Sequence, residues 1–228
     1  MTWMSVKPIT HLFTDLGGVL LTNGWDHSLR HLTADHFGIN SAEMDERHHL
    51  TYDTYESGKM GLAAYLDRVI FYEPRRFSRQ DVIDFILGQA RAFPEMIDLV
   101  CRLKARHGIK VAVVSNEGRE LTADRIQRFR LDDFVDFFIV SSYVHFRKPD
   151  LDIFRVALDI AQADPQRVAY IEDRPMFVEV AASLGIHAIW HHGYESTREH
   201  LAAVGLALDG PAAQPAAPAA QAAAKEES

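Results

Sequence analysis

Five short apolar runs space themselves along the chain, and the first four end on a polar or acidic residue. They are residues 9–15 (ITHLFTD), 110–115 (KVAVVS), 136–141 (DFFIVS), 168–172 (VAYIE) and 186–190 (IHAIW). All are rich in β-branched or aromatic side chains and show little alternation, which predicts parallel strands buried on both faces. Helical periodicity fills the intervals. Pro94 to His107 places Ile97, Val100 and Leu103 on one face, starts at a proline suited to a first turn and stops before Gly108. Asp150 is placed to cap a helix carrying Ile153, Phe154, Ala157, Leu158 and Ala161, and a further helix runs from Arg174 to Leu184 before Gly185. Strands alternating with helices predict an α/β fold with a doubly wound parallel sheet.

The interval between the first and second runs is too long for one crossover helix and its loops. It carries four helical patterns, His27 to Phe37, Ala42 to Tyr52, Leu62 to Phe71 and Arg79 to Ala92. The clearest apolar face belongs to the third, with Leu62, Tyr65, Leu66, Val69 and Ile70. The expected organisation is therefore a core of residues 1–23 and 93–209, a helical cap of residues 24–92, and a tail. Residues 210–228 are rich in Ala, Pro and Gln, with too few large apolar side chains to offset the entropy of ordering, and are expected to be disordered.

Composition narrows the function classes. A chain of 228 residues, 47% hydrophobic and 25% charged, is ordinary globular material. Its formal charge of -8 is not set against any block of Lys or Arg, so neither nucleic acid nor an anionic membrane is an expected partner. Cys101 is the single cysteine, which excludes a disulfide framework and a thiolate zinc cluster. Residues 1–10 lack the basic start and apolar stretch of a signal peptide, so a cytoplasmic location is expected. The twelve histidines include the adjacent pairs His48-His49 and His191-His192 and no His-Glu-x-x-His, and read as solvated surface groups. Trp25, His27, Tyr52 and Tyr55 fall where they either face a substrate or pack in a core.

In an open α/β sheet, ligands bind outside the carboxyl ends of the strands. Asp15, Ser115 and Asp173 stand at such ends, and Lys148 follows the third strand. A carboxylate is a competent nucleophile toward phosphorus. Its approach to another anion needs countercharge, which a magnesium ion on carboxylate and carbonyl oxygens and one lysine would supply. Asp15 and Asp173 suit the metal, Ser115 the phosphoryl oxygens and Lys148 the charge. Glu172 beside Asp173 would repel it unless a cation lies near.

The segments DLGGVLLTNG, VVSNEG, RKPD and YIEDRP, in that order, resemble the four motifs of the haloacid dehalogenase superfamily over residues 9 to about 192. The insertion, with YESGKM before a helix, resembles the cap of the subgroup containing sugar phosphatases and the phosphatase domain of soluble epoxide hydrolase. The resemblance implies a magnesium-dependent phosphatase for a small phosphorylated metabolite, with sugar phosphate as the substrate class it favours, working through an aspartyl-phosphate. It implies Asp15 as nucleophile, with the Gly17 carbonyl and Asp173 joining it on the metal. Ser115, Asn116 and Lys148 would hold the phosphoryl group, and Glu172 would reach a metal-bound water. Most such phosphatases carry an aspartate at the position of Gly17 to protonate the leaving alcohol, and an asparagine is common at that of Phe177. Gly17 points to substrates with good leaving groups. It also suits two other readings, a 2-haloacid dehalogenase and a weakly catalytic phosphometabolite-binding protein.

Overall fold

A computed structural model describes residues 7–209. Residues 210–228, the expected tail, lie outside the described residues. Five strands, β1 (His11–Thr14), β2 (Lys110–Ser115), β3 (Phe137–Val140), β4 (Val168–Glu172) and β5 (His187–Trp190), form one parallel sheet in the order β3-β2-β1-β4-β5. Each coincides with one of the five apolar runs, because each is covered on both faces. Leu12, Val111, Val113, Ala169 and Ile171 face one core cluster, while Phe13, Ala112, Val114, Val168 and Tyr170 face another.

The order places β1 at the centre. From it the chain proceeds outward to β2 and β3 on one side, then returns to β4 and β5 on the other. The carboxyl ends of β1, β2 and β4 therefore meet at the point where the winding reverses, which is where a doubly wound sheet opens a crevice.

Among the described residues, ten α-helices accompany the strands. α1 (His27–Phe37), α2 (Ser41–Glu56), α3 (Leu62–Val69) and α4 (Arg79–Gly88) follow β1. α5 (Pro94–His107) leads into β2 and α6 (Arg119–Phe129) leaves it. α7 (Ser141–Val144) and α8 (Leu151–Ala161) lie between β3 and β4, α9 (Pro175–Ser183) between β4 and β5, and α10 (Tyr194–Ala203) follows. Asp150 caps α8 by accepting from the Asp152 amide, and Pro94 and Pro175 occupy first turns.

α1 to α4 close around a separate apolar cluster containing Leu62, Tyr65, Leu66, Val69 and Ile70, all at most 5% exposed. Two boundaries here differ from expectation. α2 continues to Glu56 because Tyr55 is buried, stacked on Tyr65 at 4.6 Å between ring centroids. α4 ends at Gly88 because the chain beyond it is used elsewhere. Thr22 donates its amide to the Arg91 carbonyl at 2.8 Å, and Phe93 donates to that of Leu20 at 2.9 Å. The outgoing and returning connections thus run side by side. α6, the single-turn α7 and α10 are further helices beyond the expected set. α6 buries Thr122 and Arg125 with Leu121, so it shows no apolar stripe in sequence. Among the described residues, no helix is long and apolar enough to cross a membrane.

Candidate active site

Asp15 sits immediately beyond β1, at the base of a cavity of about 330 Å³. Its amide extends the ladder by donating to the Ile171 carbonyl at 2.8 Å, so the side chain leaves the sheet at a fixed point. Asp15 Oδ1 accepts from the Leu16 amide at 2.8 Å, and Oδ2 lies 3.1 Å from Lys148 Nζ. Burial pushes the Asp15 carboxyl up to about 6, against the pull of Lys148, while the neighbouring Glu172 adds to the rise.

Lys148 is 1% exposed and fully partnered. Its Nζ donates to Glu172 Oε2 at 2.7 Å, to the Val114 carbonyl at 3.1 Å and to the Tyr170 hydroxyl at 3.1 Å. Burial works against the ammonium, but Asp15 and Glu172 more than reverse it, so the proton is held more firmly than usual. Glu172 is fully buried. Its Oε2 also accepts from Tyr170, and its Oε1 accepts from the Arg174 amide at 3.1 Å. Sequence reasoning aimed Glu172 at a metal-bound water; the structure turns its carboxylate to the lysine and the β4–α9 loop. Asn116 likewise has a holding task. Its side chain donates to the Lys148 carbonyl and accepts from the Lys148 amide, both at 2.8 Å, which pins the lysine-bearing loop to the end of β2. Ser115 is 4% exposed and lines the cavity, and its side chain works against the rise of the Asp15 carboxyl.

Asp15, Glu172 and Asp173 offer carboxylate oxygens within 4.8 Å of one another. Asp173 Oδ1 is buried and has no hydrogen-bond partner. Such an orphaned anion is costly unless a cation meets it. Gly18, at φ +78°, passes so close that a Cβ there would lie 2.2 Å from Asp173 Oδ2. Gly17 needs no left-handed backbone; a Cβ there would meet Asn23 Oδ1 at 2.9 Å. An oxygen-donor set of this kind fits a hard divalent cation.

The helices of the insertion supply the rest of the wall. Trp25, His27, Tyr52 and Tyr55 all line the cavity, and Tyr55 is at once part of the apolar cluster. Arg147 reaches Glu56 at 2.6 Å, Ser141 Oγ donates to the Glu56 carbonyl at 2.7 Å, and His145 Nδ1 stands 2.8 Å from the Ser57 carbonyl. The end of α2 is therefore tied to the segment that delivers Lys148. Sequence reasoning missed Glu117, which is 7% exposed and holds Arg125 at 3.1 Å. Its position directly after Ser115-Asn116 was the available signal. Reading the histidines as solvated also needs correction for His48. Trp25 Nε1 donates to the Tyr65 hydroxyl at 2.6 Å, and that hydroxyl is hydrogen-bonded to His48 Nδ1 at 2.6 Å. Burial, then Arg30, lowers His48 to about 4.

Comparison with known proteins accords with this geometry. Residues 9–185 match the family model described as hydrolase, haloacid dehalogenase-like hydrolase. The chain belongs to that family. Among curated haloacid dehalogenase-like relatives, it is 27% identical over 120 residues to bifunctional epoxide hydrolase 2 of Sus scrofa, covering 51% of this chain and 21% of that protein. It is 29% identical over 82 residues to the phosphorylated carbohydrates phosphatase of Thermotoga maritima, covering 36% of this chain and 38% of the relative. The matched stretches thus span well under half the length of these relatives. A family enzyme from Bacteroides thetaiotaomicron superposes with a TM-score of 0.69 at 22% identity, over 81% of this chain and 94% of the other. A second structure of that enzyme, a complex with magnesium and inorganic phosphate, gives 0.66 at 21% identity, over 80% and 93%. At these identities the likeness is one of fold.

Proposed function

We propose that the chain is a magnesium-dependent phosphatase that hydrolyses a small phosphorylated metabolite through an aspartyl-phosphate on Asp15. The observation that carries this reading is the arrangement at the end of the sheet: a nucleophile-type carboxylate beside a buried lysine, with an oxygen of Asp173 within 4.8 Å and one Asp173 oxygen, Oδ1, buried without a hydrogen-bond partner. The Bacteroides enzyme of like fold binds magnesium and phosphate, and the Thermotoga relative is a phosphatase of phosphorylated carbohydrates. Both support the class of ligand.

Asp15, the Gly17 carbonyl and Asp173 would hold magnesium, which neutralises charge on the phosphoryl oxygens when bound. The Asp15 carboxylate attacks phosphorus; the bond from phosphorus to the ester oxygen breaks, and the leaving oxygen keeps the electron pair and departs as the anion, taking its proton from water. Water then attacks the phosphorus of the aspartyl-phosphate, releasing inorganic phosphate and restoring the carboxylate. Lys148 balances the charge of Asp15 and of the incoming phosphoryl group. Ser115 and the amides after β2 orient the phosphoryl oxygens. Residues 24–92 act as the cap that keeps bulk water from the intermediate.

Gly17 sets the substrate requirement. No carboxylate stands there to protonate a leaving alcohol, so a phosphate with a good leaving group, such as an anomeric sugar phosphate or an acyl phosphate, is the favoured substrate. Gly17 also suits a dehalogenase, whose halide leaves without a proton; the cation-seeking Asp173 is what favours the phosphatase.

The test is phosphate release from sugar phosphates, nucleotides and acyl phosphates, with and without magnesium, using Asp15→Asn as the control. Magnesium-dependent release that Asp15→Asn abolishes is expected. Activity surviving that substitution removes Asp15 as nucleophile, and halide release from 2-haloacids without metal would transfer the chain to the dehalogenases.

A further inference from the structure

A second group of ligating side chains stands apart from the Asp15 site, where α1 crosses α2. His27 and His31 lie four residues apart on one face of α1, their rings 4.1 Å apart between centroids. Asp45 of α2 faces both. Its Oδ2 is 2.8 Å from His31 Nε2 and 3.5 Å from His27 Nε2, and the three ligand atoms all lie within 4.8 Å of one another. Ligands at about 2.1 Å from a tetrahedral or octahedral ion stand roughly 3.0–3.4 Å apart, so the two edges through Asp45 bracket the required spacing. The remaining edge closes by rotation of the His27 side chain, which is 70% exposed.

The carboxylate is already oriented for this. Asp45 Oδ1 accepts from Arg30 Nε at 2.8 Å, and Arg30, itself 8% exposed, also donates to the Trp25 carbonyl at 3.1 Å. This leaves Oδ2 directed at the imidazoles, the outer support commonly seen behind a ligating carboxylate. An ion pair with Arg30 accounts for one oxygen of Asp45. It does not account for two Nε2 atoms converging on the other.

We propose that His27, His31 and Asp45 form a site for one transition-metal ion of the zinc class, separate from the magnesium site on Asp15 and Asp173. Two imidazoles with one carboxylate select such an ion over magnesium, whose preferred donors are all oxygen. Three protein ligands leave a position for water or another small ligand. His27 and Arg30 also line the substrate cavity, so an ion here ties α1 to α2 at the cavity wall. Zinc thereby gains access to the geometry of the cap without touching Asp15.

The experiment is calorimetric titration of the full chain with zinc chloride in millimolar magnesium, so that the oxygen site is filled. One zinc per chain is expected. Affinity should fall at least about tenfold in His31→Ala and in Asp45→Asn, and stay unchanged in Asp173→Asn. Zinc uptake undiminished in His31→Ala would overturn the proposal by assigning the ion to other histidines such as His191-His192. So would no uptake at all. Cobalt(II) bound to the wild-type chain reads the same site without any variant: visible absorption characteristic of nitrogen coordination is expected, and a spectrum of all-oxygen coordination would overturn the assignment.

Discussion

Gly17 and Gly18 are neighbours with opposite tolerances. Gly18 adopts φ +78° and leaves no room before Asp173 Oδ2, so Gly18→Ala should strain the backbone and displace a carboxylate of the site together. Gly17 has ordinary backbone; a Cβ there crowds the Asn23 side-chain oxygen at 2.9 Å, which can turn aside, and meets the Asn23 Cα at an ordinary 3.4 Å. Gly17→Asp should therefore fold, and it places a carboxyl group where the family resemblance implies an acid for the leaving alcohol. The expected outcome is a rise in turnover of an unactivated alkyl phosphate by about a hundredfold or more, with little change for an acyl phosphate. Steady-state assays on the two substrates check this; an unchanged ratio means that acid assistance was not what the protein lacked. Lys148 presents the converse case of a residue whose removal costs the fold. Asp15 and Glu172 share its ammonium in a buried site, so Lys148→Met leaves two carboxylates without countercharge. Urea unfolding at neutral pH should show a loss of about 3–5 kcal/mol, alongside loss of phosphatase activity. The motif positions of Asp15, Ser115, Lys148 and Asp173 were legible in sequence because each follows a buried strand or precedes a helix. The partners of Lys148 were not: Tyr170 reads as one more apolar strand residue until the fold places its hydroxyl beside the ammonium.

At the scale of elements, legibility follows burial chemistry. The strands could be read because both faces are apolar, and α3 because its buried face, Leu62, Tyr65, Leu66 and Val69, is all aliphatic or aromatic. α6 could not, since its inward side offers Thr122 and Arg125, whose match is Glu117 at the start of the same connection. The histidine pair on α1 had a visible four-residue spacing, but its carboxylate partner comes from a different helix. Between α2, α3 and the loop before α1, the hydrogen bonds from Trp25 to Tyr65 to His48 form a polar line along an otherwise apolar cluster. Tyr65→Phe removes the hydroxyl that serves both ends, leaving the Trp25 indole N–H and His48 Nδ1 without it, and should cost about 1–3 kcal/mol in urea unfolding. The same line makes the α1–α4 cluster sensitive to acid. His48 titrates near 6.5 in an unfolded chain but only near 4 when folded, because burial and then Arg30 oppose its charge. As pH falls through this window the unfolded state takes up a proton that the folded state refuses, so the neutral-ring contribution to stability is progressively lost. Unfolding midpoints at pH 7 and pH 4.5 should fall further for wild type than for His48→Gln. Equal falls would show that the ring accepts its proton without leaving the cluster.

Across the whole molecule, the carboxylates of the site are neighbours only because β1 lies between β2 and β4. Asp15 follows the first strand and Asp173 the fourth, and the unfolded chain has nothing to hold them together. A cation that both ligate therefore binds the folded state selectively, and its binding free energy adds to folding stability. The unpartnered Asp173 Oδ1 gives that addition a direction, since without a cation the fold carries a buried anionic oxygen with no hydrogen bond. Magnesium should accordingly raise the thermal midpoint of the wild-type chain in a concentration-dependent manner, by about 2.7 kcal/mol of stability once it reaches a hundred times its dissociation constant. Asp173→Asn should behave differently in two respects. Its amide reduces the need for a cation, so the variant should lose less stability in a chelator than a surface-charge argument alone would require, and magnesium should scarcely move its midpoint. The paired connections at residues 20–22 and 90–93 join the cap helices to this same sheet end, so any gain should appear in one cooperative transition. Thermal melts of both proteins across a magnesium series decide the matter. Equal shifts in the two would mean that the ion stabilises some other part of the molecule, and Asp173 would lose its assignment as a ligand.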